Sequence, residues 1–247
     1  MIRLFAVILV IAPLTVWHAA RILWAMAWKS PRLPCVCEDV PRAWSGFLLR
    51  VTGVRVVLEN EQVIDPERAQ ILVVNHVSWF DVLALATYLP GSYRFVAKKE
   101  IERAPLFGPS IRRCGHLFID REDRTKALQT LALARETLEK HRPTIIMFPE
   151  GTRSASGELQ RFKKGAFVLG IQTGTEIVPA AILGSGGIMP KGSFRIRPGT
   201  ITIRFGDPIP VEALEMEDRD ALTRRAHTAV AGLLARSHET DTRTEEV

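Results

Sequence analysis

The chain has 247 residues, 47% of them hydrophobic and 24% charged, with a net charge of +6 at pH 7; that length buries one sizeable core and a short appendage, not two full domains. The positive balance favours anionic partners such as phospholipid headgroups, phosphate-bearing acyl donors or nucleic acid, and the last is disfavoured by the lack of zinc-finger spacing, RNP-like aromatics or a dense Lys/Arg tract. Three cysteines, Cys35, Cys37 and Cys114, are too few for a disulfide framework and point to a reducing, cytosolic setting for the main domain.

In chain order, an apolar run from Leu4 to Trp17 precedes His18 and Arg21, and a second run follows from Ile22 to Trp28. The first run falls short of the ~20 apolar residues a spanning helix needs. Arg3, the apolar stretch and Ala25-Met26-Ala27 imitate a signal peptide, but Arg21 sits badly between the run and that cleavage site. Two readings remain. One is a tilted spanning helix with Arg21 near an end; the other is two short helices in one leaflet, with Arg3, Arg21, Lys29 and Arg32 snorkelling to phosphates. Both attach the chain to a membrane through residues 1–40. Trp17, Trp24 and Trp28 suit the headgroup level, and serve equally well as core packing.

Pro31, Pro34 and Pro41 mark a connector, and Trp44 to Val51 reads as a short amphipathic helix closed by Gly53. A domain over residues 41–236 follows. Short apolar runs bounded by turn signals predict strands at Val54–Leu58, Ile71–Val74, Arg94–Ala97, Leu117–Ile119, Thr144–Phe148, Ile177–Leu183 and Thr200–Phe205. The clearest helix is Arg124–Lys140, with Leu128, Leu131, Ala134 and Leu138 on one face and Asp123 as its cap. Ala221–Arg236 is a final helix and residues 237–247 a polar tail. Strands alternating with helices imply an α/β domain.

Directly after the Ile71–Val74 strand comes NHVSWFD, residues 75–81. A His and an Asp at the end of a parallel strand stand where α/β folds place ligands. His76 can take a proton from an attacking hydroxyl while Asp81 holds the imidazole tautomer and stabilises the cation. A five-residue spacing puts two side chains off one another's face in a regular helix, so the pair meets only if His76 lies in the turn before the helix. Taken alone, the pattern is matched by a satisfied histidine beside a capping Asp.

Two further strand ends carry charge: GHLFIDR, residues 115–121, and FPEGTRS, residues 148–154. Arg121 and Arg153 suit an anionic substrate, because guanidinium binds phosphate bidentately and is always charged. Glu150, with the Gly151-Thr152 turn, can bond a glycerol hydroxyl or position Arg153; a solvated surface turn is the plain alternative. With no Gly-x-Ser-x-Gly elbow and no cysteine beside the histidine, direct attack by a substrate hydroxyl fits better than an acyl-enzyme. The lack of His-Glu-x-x-His and of Walker or dinucleotide loops disfavours metalloprotease, nucleotidase and redox readings.

Together NHVSWFD, GHLFIDR, FPEGTRS and the later IVPAAILG resemble the four ordered motifs of the lysophospholipid acyltransferase family, in its 1-acyl-glycerol-3-phosphate branch, from Val54 to Pro210. The resemblance implies a mixed, largely parallel sheet of about seven strands flanked by helices. It implies His76 as general base and Asp81 as its partner, with Arg121, Glu150, Gly151, Thr152 and Arg153 binding the acceptor; in Ala97-Lys98-Lys99-Glu100, Lys98 can add positive charge near the site, with an ordinary solvated pair as the plain alternative. It implies acyl transfer from acyl-CoA or acyl carrier protein to the sn-2 hydroxyl, with no metal and no cofactor beyond that donor. The place implied is the cytoplasmic face of the inner membrane. Rival readings are another lysolipid acceptor (lyso-ornithine lipid or lysophosphatidylcholine), a non-catalytic lipid-binding protein, and an esterase or thioesterase.

Overall fold

The computed structural model describes residues 2–29 and 33–236. Pro31 and Arg32 of the expected connector, the Arg3 side chain and the expected tail 237–247 lie outside the described residues. The elements run α1 (Ile2–Ala27), α2 (Leu33–Val51), β1 (Val54–Glu59), β2 (Gln70–Val74), α3 (Phe80–Tyr88), β3 (Tyr93–Lys98), α4 (Lys99–Glu102), α5 (Phe107–Arg113), β4 (Leu117–Ile119), α6 (Arg124–His141), β5 (Thr144–Met147), α7 (Gly165–Thr173), β6 (Ile177–Leu183), α8 (Ser185–Ile188), β7 (Gly199–Phe205) and α9 (Arg219–Ala235).

Every predicted strand is present, to within one residue at each end. The seven strands form one sheet in the order β1-β7-β6-β2-β5-β3-β4, parallel throughout except between β6 and β7. All residues of β2 and β5 are buried, as expected for parallel strands covered on both faces. Successive side chains point to opposite sides. Leu72 and Val74 therefore join Ala84 and Leu85 of α3 in one core, while Ile71 and Val73 join Ala134 of α6, Phe167 of α7 and Val230 of α9 in the other. The sheet is thus sandwiched, and the loops after its parallel strands are left to build a site.

Two local readings are corrected. In α6, Asp123 caps the helix by accepting from the Lys126 N–H at 3.1 Å, but Leu128 is exposed; the buried stripe is Thr130, Ala134 and Leu138, which recur every four residues. The connector expected around Pro34 and Pro41 is instead the first half of α2, unbroken from Leu33 to Val51. Pro34 sits in the first turn, where its missing N–H has no helical partner to lose. Pro41 forfeits an internal bond, offset by packing: Val40, Ser45, Leu48 and Leu49 are buried where α2 meets α1 and α3. Arg42 adds a side-chain bond to the Leu89 carbonyl at 2.7 Å, and the Trp44 indole N–H donates to Thr15 Oγ1 at 3.0 Å.

The cysteines also depart from the sequence reading. Cys37 on α2 and Cys114 at the end of α5 are 5.1 Å apart at Cα and form a disulfide, so a reducing setting does not follow from the cysteine count. Folding unites two thiols separated by 77 positions, a juxtaposition no local spacing announces. Among the described residues no helix is long and apolar enough to cross a membrane.

Candidate active site

Five residues, Asn75 to Trp79, separate β2 from α3. Asn75 is buried and ties the turn to the end of β6: its Nδ2 donates to the Ile182 carbonyl at 3.0 Å and its Oδ1 accepts the Ile182 N–H at 2.7 Å. Ser78 Oγ donates to the Met189 carbonyl at 2.8 Å. Anchored at both ends, the turn folds back over the start of α3.

Asp81 lies in the first helical turn with no exposed surface. Its Oδ2 accepts the N–H groups of Val77 at 2.8 Å and Ser78 at 2.9 Å, and faces His76 Nδ1 at 2.8 Å. His76 precedes the helix, so the five-residue spacing that separates two side chains on a helix closes here through the turn. A carboxylate only accepts, so Nδ1 carries the proton and the Nε2 lone pair is left free.

The backbone of His76 is held from the other side by the third motif. Its N–H donates to Glu150 Oε1 at 2.6 Å, and its carbonyl accepts the Ser154 N–H at 2.7 Å. Its ring stacks on Phe148 with centroids 4.0 Å apart. Glu150 is 4% exposed, and Oε2 accepts the Gln160 N–H at 3.0 Å. Burial pushes its carboxyl above the usual carboxylate range, against the pull of those two backbone donors. Each oxygen thus accepts one main-chain N–H, and Glu150 braces the His76 backbone. Gly151 is a turn residue with φ +76°, a conformation side chains other than hydrogen rarely adopt, and its carbonyl accepts from Arg121 Nη1.

A cavity of about 820 Å³ is lined by His76, Lys98, Glu100, Arg121, Thr152 and Arg153, together with many apolar side chains including Ile22, Leu48, Leu83 and Phe107. Asp81, Glu150 and Gly151 do not line it. The Arg153 guanidinium stands 5.0 Å over the Trp79 ring and has no carboxylate within ion-pair distance among the described residues. Burial lowers the Arg121 pKa from its usual value, with Glu100 opposing; arginine stays cationic regardless. Lys98 is paired with Glu100 at 3.0 Å. The arrangement is a hydrogen-bonded imidazole base beside two guanidinium groups, opening on an apolar chamber large enough for a sizeable ligand.

Residues to which sequence reasoning gave no role complete the site. Asn75, Phe148 and Ser154 stand inside the quoted motifs, so the signal was present but the long-range contact was not. His116 is a cavity-wall residue whose Nδ1 accepts the Phe95 N–H at 3.0 Å. Burial, with Arg94 adding repulsion, brings its pKa down to about 3, which leaves it neutral.

The chain matches the family model described as Acyltransferase over residues 55–183. It is 31% identical to a 1-acyl-sn-glycerol-3-phosphate acyltransferase of Chlamydomonas reinhardtii, covering 94% of this chain and 65% of that protein. It is 33% identical to an uncharacterized acyltransferase of Schizosaccharomyces pombe, covering 78% and 70%. The chain thus spans just under two thirds of the Chlamydomonas protein's length. Among solved structures, the 1-acyl-sn-glycerophosphate (LPA) acyltransferase of Thermotoga maritima superposes with a TM-score of 0.77 at 25% identity, covering 95% of this chain and 96% of that one.

Proposed function

The chain belongs to the acyltransferase family, and from that membership we propose that it moves a fatty acyl group from a thioester onto the sn-2 hydroxyl of 1-acyl-glycerol-3-phosphate, forming phosphatidic acid. The observation that carries this reading is the His76–Asp81 pair, 2.8 Å apart, with His76, Arg121 and Arg153 all lining one largely apolar cavity. A lysolipid phosphate needs fixed cations, its chain needs an apolar wall, and its hydroxyl needs a base; all three are adjacent.

His76 Nε2 takes the proton of the acceptor hydroxyl as the oxygen attacks the thioester carbonyl. A C–O bond forms, the tetrahedral oxyanion collapses, the C–S bond breaks, and the thiolate leaves with the proton returned from the imidazolium. Asp81 holds Nδ1–H throughout and stabilises the cation. The Val77 and Ser78 N–H groups are given to Asp81 and are not offered to the oxyanion. Arg121 and Arg153 hold the phosphate, which fixes the hydroxyl against the base, with Lys98 and the Thr152 hydroxyl at the same wall. Glu150 and Gly151 shape the loop that carries Arg153. The donor is an acyl thioester, acyl-CoA or acyl carrier protein, and no other cofactor takes part.

The protein works at a membrane, on its cytoplasmic face. Exposed tryptophans support the membrane part of this reading: Trp17 and Trp24 of α1 and Trp28 just after it are all more than 60% exposed, while Ala19, Ile22 and Ala25 of α1 are buried. Tryptophan at a headgroup boundary exposes an apolar body and a polar N–H to matching surroundings.

The test is incubation with lysophosphatidic acid and labelled acyl-CoA, wild type beside His76→Ala, with the product identified by mass. Phosphatidic acid from the wild type alone supports the reading. Preference for lysophosphatidylcholine or lyso-ornithine lipid, or release of free fatty acid in place of lipid product, overturns it.

A further inference from the structure

The segment between α8 and β7, Met189 to Pro198, reads MPKGSFRIRP: three cations, one phenylalanine and no carboxylate. Its side chains divide by direction. Met189 and Ile196 enter the cavity wall. Lys191, Arg195 and Arg197 are exposed, and Phe194, at 78%, is the most exposed large hydrophobic side chain among the described residues. None of the three cations has a carboxylate within ion-pair distance among the described residues.

This is an ordered loop. The Arg197 N–H donates to the Ile188 carbonyl at 2.9 Å and the Ser193 N–H to the Pro190 carbonyl at 3.1 Å. The Arg195 N–H donates to Ser193 Oγ at 3.0 Å. Lys191 Nζ donates to the Arg153 carbonyl at 2.8 Å, which fastens the loop to the segment that carries Arg153. Backbone bonds thus hold a bare aromatic ring and its flanking cations beside the polar wall of the cavity.

We propose that Met189–Pro198 is a membrane-contacting loop, in which Phe194 enters the headgroup boundary of an anionic bilayer and Arg195 and Arg197 pair with its phosphates. The inference rests on the lipid-substrate reading above. A lysolipid reaches the cavity from a bilayer, and this loop is fastened to the segment of Arg153, one of the cavity's lining residues. Arg195 and Arg197, without a carboxylate in ion-pair distance among the described residues, complement an anionic headgroup layer, and an exposed phenylalanine ring gains by leaving water. An acidic carrier protein would meet the same charges, but Met189 and Ile196 of this loop line the cavity of the lipid-substrate reading, which favours the bilayer as occupant. The loop would act in addition to α1, holding the cavity's polar wall against the bilayer while α1 holds the molecule to it.

The full chain carrying Phe194→benzoylphenylalanine is bound to vesicles of phosphatidylcholine and phosphatidylglycerol, recovered by sedimentation, and irradiated. A covalent lipid adduct at position 194, seen by mass spectrometry, is the expected result; Leu128→benzoylphenylalanine, exposed on α6 and absent from the cavity wall, should give none. Equal adducts at both positions, or none at 194 in sedimented protein, overturn the proposal. In parallel, Phe194→Ser with Arg195→Gln should raise the KM for acceptor presented in anionic vesicles about tenfold and leave turnover of a water-soluble short-chain lysophosphatidate unchanged. An equal loss on the soluble acceptor would make the loop part of the substrate site. A loss seen only with acyl carrier protein as donor would make it a protein dock. Failure of the wild type to acylate lysophosphatidate would sink the functional reading while leaving the cross-link result to stand by itself.

Discussion

Asp81→Asn isolates what the carboxylate charge does. The asparagine carbonyl can occupy the place of Oδ2 and accept the same Val77 and Ser78 N–H groups and the His76 Nδ1–H, so those two backbone donors pin the imidazole tautomer. What is lost is the negative charge facing an imidazolium in the transition state. Unit charges ~4 Å apart attract by about 4 kcal/mol at the effective dielectric that suits protein sites, and a hydrogen bond to a charged group is worth about 1.5–3 kcal/mol. A loss of about 2–4 kcal/mol corresponds to a fall in kcat of roughly 30- to 1000-fold, at 1.4 kcal/mol per tenfold. KM for the acceptor should not move, because Asp81 does not line the cavity. The new amide NH2 takes the place of Oδ1, which has no partner among the described residues, so the melting temperature must be followed and activity measured well below it. The decisive control is the His76→Ala background. There the asparagine should cost nothing further, since residues that act as one unit are not additive. The reasoning fails if Asp81→Asn keeps more than about a third of wild-type kcat, or if it costs the same factor without His76.

Arg153→Ala should lower kcat/KM for a phosphate-bearing acceptor about 10- to 100-fold, from about 1.5–3 kcal/mol for a charged hydrogen bond, with part of the loss in kcat because the phosphate contact also fixes the hydroxyl against His76, as read in steady-state kinetics. Glu150→Gln retains one acceptor for two backbone donors, so a urea melt should show a loss of about 1–3 kcal/mol. His116 has a folded pKa of about 3 against about 6.5 when unfolded, so the stability from its neutral form is full above pH 6.5 and is lost as pH falls below it. Between pH 6.5 and 4.5 the unfolded chain binds one extra proton, worth about 2–3 kcal/mol. His116→Asn, which keeps an acceptor for the Phe95 N–H, should flatten that part of the urea-stability profile. Non-reducing mass spectrometry should find Cys37 linked to Cys114, and reduction should lower the thermal midpoint, since opening a loop closed across 77 positions releases up to about 4 kcal/mol of chain entropy.

What the sequence disclosed and what it withheld divide by range. The strands were legible because central strands buried on both faces, such as Thr144–Met147, must be continuous apolar runs. His76 and Asp81 were legible because the turn that unites them is only five residues long. The N-terminal half of α2 was not. Pro34 and Pro41 are local signals for a connector, and they are overridden by packing against α1 and α3 and by Arg42 reaching the carbonyl of Leu89, 47 residues away. The role of Glu150 was hidden for the same reason: a carboxylate beside an arginine looks like a ligand until the fold places the His76 N–H 74 positions away within 2.6 Å.

In the proposed mechanism, that last contact ties the third motif to catalysis without its touching the reacting atoms. The imidazole can serve as a base only if its ring cannot swing, and one hydrogen bond at Nδ1 leaves rotation about the side-chain bonds open. Here the ring is stacked on Phe148, while the main chain behind it is bonded on one side to Glu150 and on the other to Ser154. In the proposed mechanism, the loop that places Arg153 for the phosphate is therefore the same loop that fixes His76 for the hydroxyl. A shift of that loop would misalign both ends of the acceptor together, and misplacement by even ~1 Å can cost 100-fold in rate. The burial that raises the Glu150 carboxyl pKa is the cost of that coupling, and two backbone N–H donors are what keep it tolerable.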